Sequence, residues 1–406
     1  MVVLYQFQCY TVIMRLRTVD KTEVKNKKVL VRVDFNVAME NGAIKDDFRI
    51  QRVVPTLRQL LTKRAKVILM THFGRPQEAR TEKERRGLGL KKVAQRLEKD
   101  IGHKVHFVSE CVGERAQRAA SALKSGEILL LENLRFHQEE ERNDEVFASK
   151  LAALADIYVN EAFSVSHRAH ASVSAITRFL PSYAGPEFAR EARILHHAYM
   201  KPKMPLVMVM GGAKVETKAK LIKRFFNKAD NILLGGIIAN AVLQIQGIAI
   251  GRSKLDFSTT QKLKGLDWMS TKLHLPVDVV VAKEISESAW VKTVAVGNVK
   301  DDEIILDIGV DTVKLFSKIA ATAGTIIWNG PLGYSELAPF AVGTTEFAKA
   351  VAVSKAFKIV GGGESVSILD KLHLSHTIDF ISTGGGAMLE FLAGDPMPGI
   401  EALKNK

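Results

Sequence analysis

The sequence predicts an α/β protein built as two doubly wound parallel-sheet domains joined by a hinge helix. Three observations carry that reading. Short apolar runs alternate with amphipathic segments along the chain. The runs are nearly continuous in Val, Ile and Leu, as strands covered on both faces must be, rather than alternating apolar with polar. Finally, 406 residues exceed what one ordinary core accommodates.

In chain order, the first expected domain, 14–185, contains "KVLVRVDFNV" (28–37), "AKVILMTHF" (65–73), "EILLLENLRF" (127–136) and "ADIYVNEAF" (155–163). In "PSYAGPEFAREARILHHAYMKPKMP" (181–205) prolines bracket one charged helix with no strand signal, so 186–204 is the expected hinge. Strand runs resume with "PLVMVMGG" (205–212), "NILLGG" (231–236), "VDVVVA" (277–282), "GTIIWNG" (324–330), "FKIVGGG" (357–363) and "TIDFISTGGG" (377–386), giving a second domain over 205–390. Between them, "ETKAKLIKRFFNKA" places Leu221, Ile222, Phe225 and Phe226 on one helical stripe. A helix stop at Gly394, with prolines just beyond, leaves 391–406 to pack back toward the first domain.

Apolar content of 47% with 25% charge is that of a soluble globular protein. The net charge of +14 points to anionic partners. Nucleic acid is not expected, because the densest charged stretch, "EARTEKERRG", mixes both signs and has no interleaved aromatics. Cys9 and Cys111 lie too far apart in sequence for a disulfide framework and suggest a reducing compartment, with cytosol the expectation. "MVVLYQFQCYTVI" lacks the charged start and cleavage site of a signal peptide, and no run reaches the roughly 18 apolar residues that span a bilayer. Met14 opens a more ordinary beginning, so residues 1–13 read as an upstream artefact, with an added strand as the alternative.

Open parallel sheets bind ligands beyond the carboxyl ends of their strands. The first domain's ends offer Asp34, Asn36, His72, Arg75, Arg135, His167, Arg168 and His170, with Arg49 close behind the first strand. One such arginine would read as a surface ion-pair partner. Four, after different strands of one sheet, suit a small multiply charged anion, because the guanidinium fork binds phosphate or carboxylate through two parallel hydrogen bonds.

The second domain's ends carry glycine instead: "GGAK" (211–214), "GG" (235–236), "NGPLG" (329–333), "VGGGES" (360–365) and "STGGGA" (382–387). None matches the Walker A pattern. A strand that turns through glycines into a helix can offer unpaired N–H groups to a phosphate, so five such ends predict a nucleotide cradle, whereas one alone would read as a tight turn. Lys214 and Lys218 lie four apart on one helix face and can serve as mobile charges on a phosphoryl group. His167-x-x-His170 and His196-His197 lack partners at zinc-ligand spacing, and no nucleophile elbow is present.

From Met14 onward the chain resembles the phosphoglycerate kinase family. "VLVRVDFNV", "HFGRP", "LLLENLRFH", "HRAHAS", "GGAKVETK", "WNGPLG", "VGGGES" and "STGGGAMLE" stand in that family's order. The resemblance implies reversible phosphoryl transfer from 1,3-bisphosphoglycerate to Mg-ADP, giving 3-phosphoglycerate and ATP, by a monomer. It implies that Asp34, Asn36, Arg49, His72, Arg75, Arg135 and Arg168 hold the triose. Lys218, Gly309, Asn329, Glu336, Gly362, Gly363, Glu364 and Ser365 are implied for the nucleotide, with Mg²⁺ at Glu364 and Glu336 on the ribose. Arg49 and Lys214 are implied to reach the transferring group. Several positions depart from the family pattern: Glu364 stands for Asp, Ile237 for a glycine, Glu161 and Ser164 for the Asp and Gly of "DAFG", and Ala38 and Val310 for prolines. No arginine or lysine of the transfer site is lost. Two rival readings remain, another small-molecule kinase and a weakened relative that binds anions or nucleic acid without turnover.

Overall fold

The structure is a computed structural model describing residues 16–40, 43–213, 215–253, 255, 263 and 265–404. It divides into two compact units. The first runs to Ile194 and takes back the chain from Asp395; the second is Leu195–Gly394.

In the first unit, β1 (Lys28–Arg32), β2 (Lys66–Met70), β3 (Val105–Phe107), β4 (Ile128–Leu130), β5 (Ile157–Asn160) and β6 (Ser182–Ala184) form one parallel sheet in the order β3-β4-β2-β1-β5-β6. Helices α1 (Phe48–Thr62), α2 (Lys91–Ile101), α3 (Glu114–Ala122) and α4 (Glu145–Ala152) lie between the strands in sequence. Helix α2 shows why such segments form: Val93, Ala94, Leu97 and Ile101 repeat at helical spacing and are buried, and Gly102 ends the helix in the left-handed conformation. The C-terminal segment belongs to this unit, where Gly399 N–H donates to the Ser166 carbonyl at 2.8 Å.

Helix α5 (Pro186–Met200) contains the division between the units. Its first turn is capped from a distance. Glu161, just beyond β5, accepts N–H bonds from Glu187 (3.2 Å) and Phe188 (3.1 Å) and a bond from the Thr56 hydroxyl. Gly185 makes room for it, since a Cβ there would collide with this carboxylate.

In the second unit, β7 (Leu206–Met210), β8 (Asn231–Leu234), β9 (Leu273–His274), β13 (Thr325–Asn329), β14 (Phe357–Gly361) and β15 (Phe380–Ile381) form a parallel sheet ordered β9-β8-β7-β13-β14-β15. The run "VDVVVA" departs from expectation. It forms β10 (Asp278–Ala282), the centre of a separate antiparallel sheet with β11 (Lys292–Ala295) and β12 (Ile304–Ile308). The reason is exposure: β11 alternates between half-buried and exposed residues, so this sheet has one covered face. The helices are α6 (Val215–Phe225), α7 (Gly236–Ile245), α8 (Val310–Thr322), α9 (Val342–Val353), α10 (Gly363–Lys371) and α11 (Gly386–Ala393). Leu221, Ile222 and Phe225 bury the expected stripe of α6, while Phe226 falls beyond its end. Among the described residues no helix is long and apolar enough to cross a membrane.

Burial pushes the Glu161 carboxyl up to about 7 against the pull of Thr56, Phe188 and Arg52. A carboxyl raised above its unfolded value favours the fold while protonated, so this contribution is full below about pH 4.5 and is lost as pH rises through about 7. Chemical unfolding of wild type and Glu161→Gln at pH 5, 6, 7 and 8 should show the wild-type advantage shrinking with pH by up to about 3 kcal/mol. A constant difference would refute the burial argument.

Candidate functional site

In the first unit the predicted residues gather beyond the carboxyl ends of β1, β2, β4 and β5. Asp34, almost fully buried, accepts the Asn36 N–H at 3.0 Å, an ion pair from Arg49 and a hydrogen bond from the Ser164 hydroxyl. Burial alone would raise its carboxyl, but Arg49, with the Ser164 hydroxyl and the Asn36 N–H, outweighs burial and holds it at about 2. Asn36 turns its Oδ1 to the Gly74 N–H at 2.9 Å, tying the end of β1 to the "HFGRP" turn after β2.

His72 is buried and kept uncharged, first by burial and then by Arg32, Arg135 and Arg168, against the pull of Asp34. Arg32 Nη2 lies 3.0 Å from its Nδ1. Because a guanidinium only donates, Nδ1 must accept, and the ring proton stays on Nε2. Arg135 is buried, donating to the Gly74 carbonyl at 2.7 Å and pairing with Glu141 at 2.8 Å. Arg168 is half-buried, its Nε 3.0 Å from His167 Nε2. Arg75 stands apart in exposure, with 67% of its side chain accessible and a 2.8 Å pair to Glu78. His167 and His170 are driven down to about 4 and 3 by burial and neighbouring cations, so the positive charge here belongs to the arginines.

Two residues of this cluster escape the sequence reading. Ser164 appears there only as a departure from a family pattern. Arg32 is hidden inside an apolar strand run, where a lone charge is itself the signal, since a buried guanidinium demands partners.

In the second unit a cavity of about 280 Å³ opens between α7, the antiparallel sheet and the 331–334 loop. Its lining is largely apolar, with Ile237, Val279, Ile305 and Leu332 among it, and carries Glu336 and Glu364. The glycine-rich strand ends of this unit are of two kinds. At the first kind, glycine is required because backbone meets backbone: a Cβ on Gly211 would collide with the Pro331 carbonyl, and one on Gly330 with the Gly211 carbonyl. The Lys218 ammonium is buried among these turns and donates to the Gly211 carbonyl. At the second kind, space is open: nothing lies within 4 Å of a Cβ built on Gly363, Gly385 or Gly386. Gly362, at φ +93°, bends the chain from β14 into α10, leaving Gly363, Glu364 and Ser365 as the first helical turn. The Asn329 amide, at the end of β13, faces this turn and is buried without a hydrogen-bond partner, as is the Ser365 hydroxyl.

Gly309 leads into α8, whose first-turn N–H groups are already occupied. Asp311 and Thr312 donate to the Asp278 carboxylate at 3.0 and 2.7 Å. Lys214 lies outside the described residues. Among the described residues no group of three His, Cys, Asp or Glu side chains is arranged to hold a metal ion.

The family model for phosphoglycerate kinase matches residues 19–395. The phosphoglycerate kinase of Moorella thermoacetica is 44% identical over 393 residues, covering 96% of this chain and 99% of that protein. That of Bradyrhizobium diazoefficiens is 42% identical over 400 residues, covering 97% and 99%. Among solved structures, phosphoglycerate kinase from Coxiella burnetii superposes with a TM-score of 0.81 at 38% identity, and that from Pyrococcus horikoshii with 0.84 at 32%. Each covers 96% of this chain and 98% of the other. With sequence likeness and fold both running through the two units, the chain belongs to the phosphoglycerate kinase family and is a phosphotransferase.

Proposed function

We propose that the first unit's arginine cluster holds the triose and the second unit's cavity holds the nucleotide, for reversible phosphoryl transfer between 1,3-bisphosphoglycerate and ADP. One observation supports this most: Arg49, Arg135 and Arg168 gather around an uncharged His72 and an ionised Asp34. Such a set is matched to a ligand carrying phosphate, carboxylate and hydroxyl groups. Arginines bind the anionic groups, Asp34 accepts from a hydroxyl, and His72 donates its Nε2–H without adding charge. Asn36 holds the strand-end turns in register, and the exposed Arg75 steers the anion on arrival.

On the nucleotide side, the apolar lining of the cavity suits the base, Glu336 the ribose hydroxyls and the open first turn of α10 the phosphates. Asn329 and Ser365, buried and unpartnered, are available to phosphate oxygens. Gly309 then shapes the strand-to-helix bend rather than offering N–H groups, because Asp278 takes them. Glu364 is the cavity-wall carboxylate carried by the open first turn of α10, and one or two carboxylates together with nucleotide phosphates is how Mg²⁺ is commonly held. Bound there, the ion would neutralise phosphate charge. Transfer itself needs no covalent intermediate: Arg49, Lys218 and Lys214 neutralise the equatorial oxygens while positioning keeps donor and acceptor in line. Helix α5, which belongs to both units, is the proposed hinge.

A coupled assay with 3-phosphoglycerate and Mg-ATP should show turnover. Arg49→Lys should lower kcat/KM by about 10²–10³, because the fork is lost while the charge is kept; near-full turnover of Arg49→Ala would sink the assignment.

Two glycine substitutions separate the kinds of strand end. Gly211→Ala should lower the melting temperature, having no room for the methyl group. Gly363→Ala should leave it unchanged or slightly raised while weakening ADP binding on the order of tenfold, since the methyl group enters the space reserved for phosphate. Thermal unfolding with ADP titration decides, and unimpaired ADP binding in Gly363→Ala would rule out α10 as the phosphate site.

A further inference from the structure

The cavity wall of the second unit contains a polar relay whose two side chains, Asp307 and Thr344, belong to no motif. Asp307, on β12, is nearly inaccessible and lines the cavity together with its neighbours Leu306 and Ile308. Its carboxylate only accepts: from the Ile308 N–H at 2.9 Å, the Gly343 N–H at 2.6 Å and the Thr344 hydroxyl at 3.3 Å. Thr344, fully buried in the first turn of α9, uses every bonding position of its hydroxyl. It donates to Asp307 and accepts from the N–H groups of Leu332 and Gly333, both at 3.1 Å.

Those two residues are themselves cavity wall. The loop carrying them has little slack, because a Cβ on Gly333 would collide with the Asp307 carboxylate and the Tyr334 N–H is bound to the Leu306 carbonyl at 2.6 Å. The Leu332 carbonyl in turn accepts the Gly236 N–H at 2.8 Å, at the start of α7, whose residues form the facing wall. One hydroxyl thus joins β12, α9, the loop and α7.

We infer that Thr344 is a positioning residue for the nucleotide: held by Asp307, its hydroxyl fixes the Leu332–Gly333 wall of the cavity and sets the cavity's width. The inference rests on the reading that the nucleotide occupies this cavity. A β-branched residue without the hydroxyl would fill the same volume but leave two N–H groups of the wall unpartnered, and a buried unmade hydrogen bond is relieved by moving the loop.

The test compares wild type, Thr344→Val and Thr344→Ser by steady-state kinetics in both substrates and by calorimetric titration with ADP. Thr344→Val should raise the KM and Kd for nucleotide about tenfold, leave the KM for 3-phosphoglycerate within about twofold, and be rescued by Thr344→Ser. Equal rises for both substrates, or unchanged ADP affinity, would overturn the inference. Should Thr344→Val fail to fold, amide exchange in wild type serves instead: the N–H groups of Leu332 and Gly333 should be protected without ligand, and rapid exchange would overturn it. Ile237→Trp, which fills the cavity, separates the two levels. ADP binding that survives Ile237→Trp overturns the site reading and the inference together; binding lost there but intact in Thr344→Val overturns the inference alone.

Discussion

The first unit is organised around one guanidinium that cannot reach water. Arg32 has no exposed surface and sits in a central strand of the parallel sheet, where an unpaired charge would be prohibitive. Its Nε donates to the Ser172 hydroxyl at 2.9 Å, its Nη1 to the Val33 carbonyl and its Nη2 to His72. Ser172 passes the interaction on, donating through its hydroxyl and N–H to the buried Glu140 at 2.6 and 2.9 Å. Glu140 is pushed up by burial and pulled back first by Arg32, and Tyr158 closes the set by donating to the Ser172 carbonyl. Removing Arg32 would leave the buried Glu140 without the cation that offsets its burial, at a cost of about 3–5 kcal/mol. The arrangement also fixes the tautomer of His72, leaving the ring proton on Nε2. The cluster of Asp34, His72 and Arg135 at the strand ends inherits its order from this buried layer.

The second unit solves a similar problem with backbone instead of charge. Gly211, Gly235, Gly236 and Gly330 stand where a Cβ would collide with a facing turn, which lets the turns after β7, β8 and β13 pack against one another, with the buried Lys218 ammonium beside Gly212 and Gly330. The Gly211 carbonyl accepts from that ammonium, so backbone takes part in holding the cation. Gly363, Gly385 and Gly386 differ in kind: nothing lies within 4 Å of a Cβ built on them, and they have helix N-termini behind them.

Much of this was legible in the sequence wherever a side chain acts where it stands. The strand-end arginines, Asp34 and His72 follow directly from runs that stop at them, and α2 and α6 follow from periodicity. Arg32 was not, because its partners Ser172 and Glu140 are remote in sequence and meet it only through the strand order. Nor was the antiparallel sheet, since Val279–Val281 is as apolar as any parallel strand and the signal lay in its weaker neighbour β11. The two kinds of glycine turn look alike as letters. They part only when the facing backbone is present, as Pro331 is for Gly211 and as nothing is for Gly363.

The departure at Glu161 shows how such a fold absorbs change. A side chain one methylene longer than Asp reaches across to the first turn of α5, where two N–H groups and the helix dipole receive it. The added length needs space, and Gly185, the residue before Pro186, supplies it by having no side chain. Arg52 beside it pairs with Glu187 in the same turn, so the helix end is held from β5 and from α1 at once. A carboxylate at position 161 is thus tied to the start of the helix in which the chain passes from one unit to the other, and its length has to match the geometry of that start. Glu364 stands otherwise: it belongs to the first turn of a helix and lines a cavity, where a longer arm carries the carboxylate further into open space instead of straining the fold. A Glu in place of Asp therefore bears on the scaffold at one position and on the cavity wall at the other.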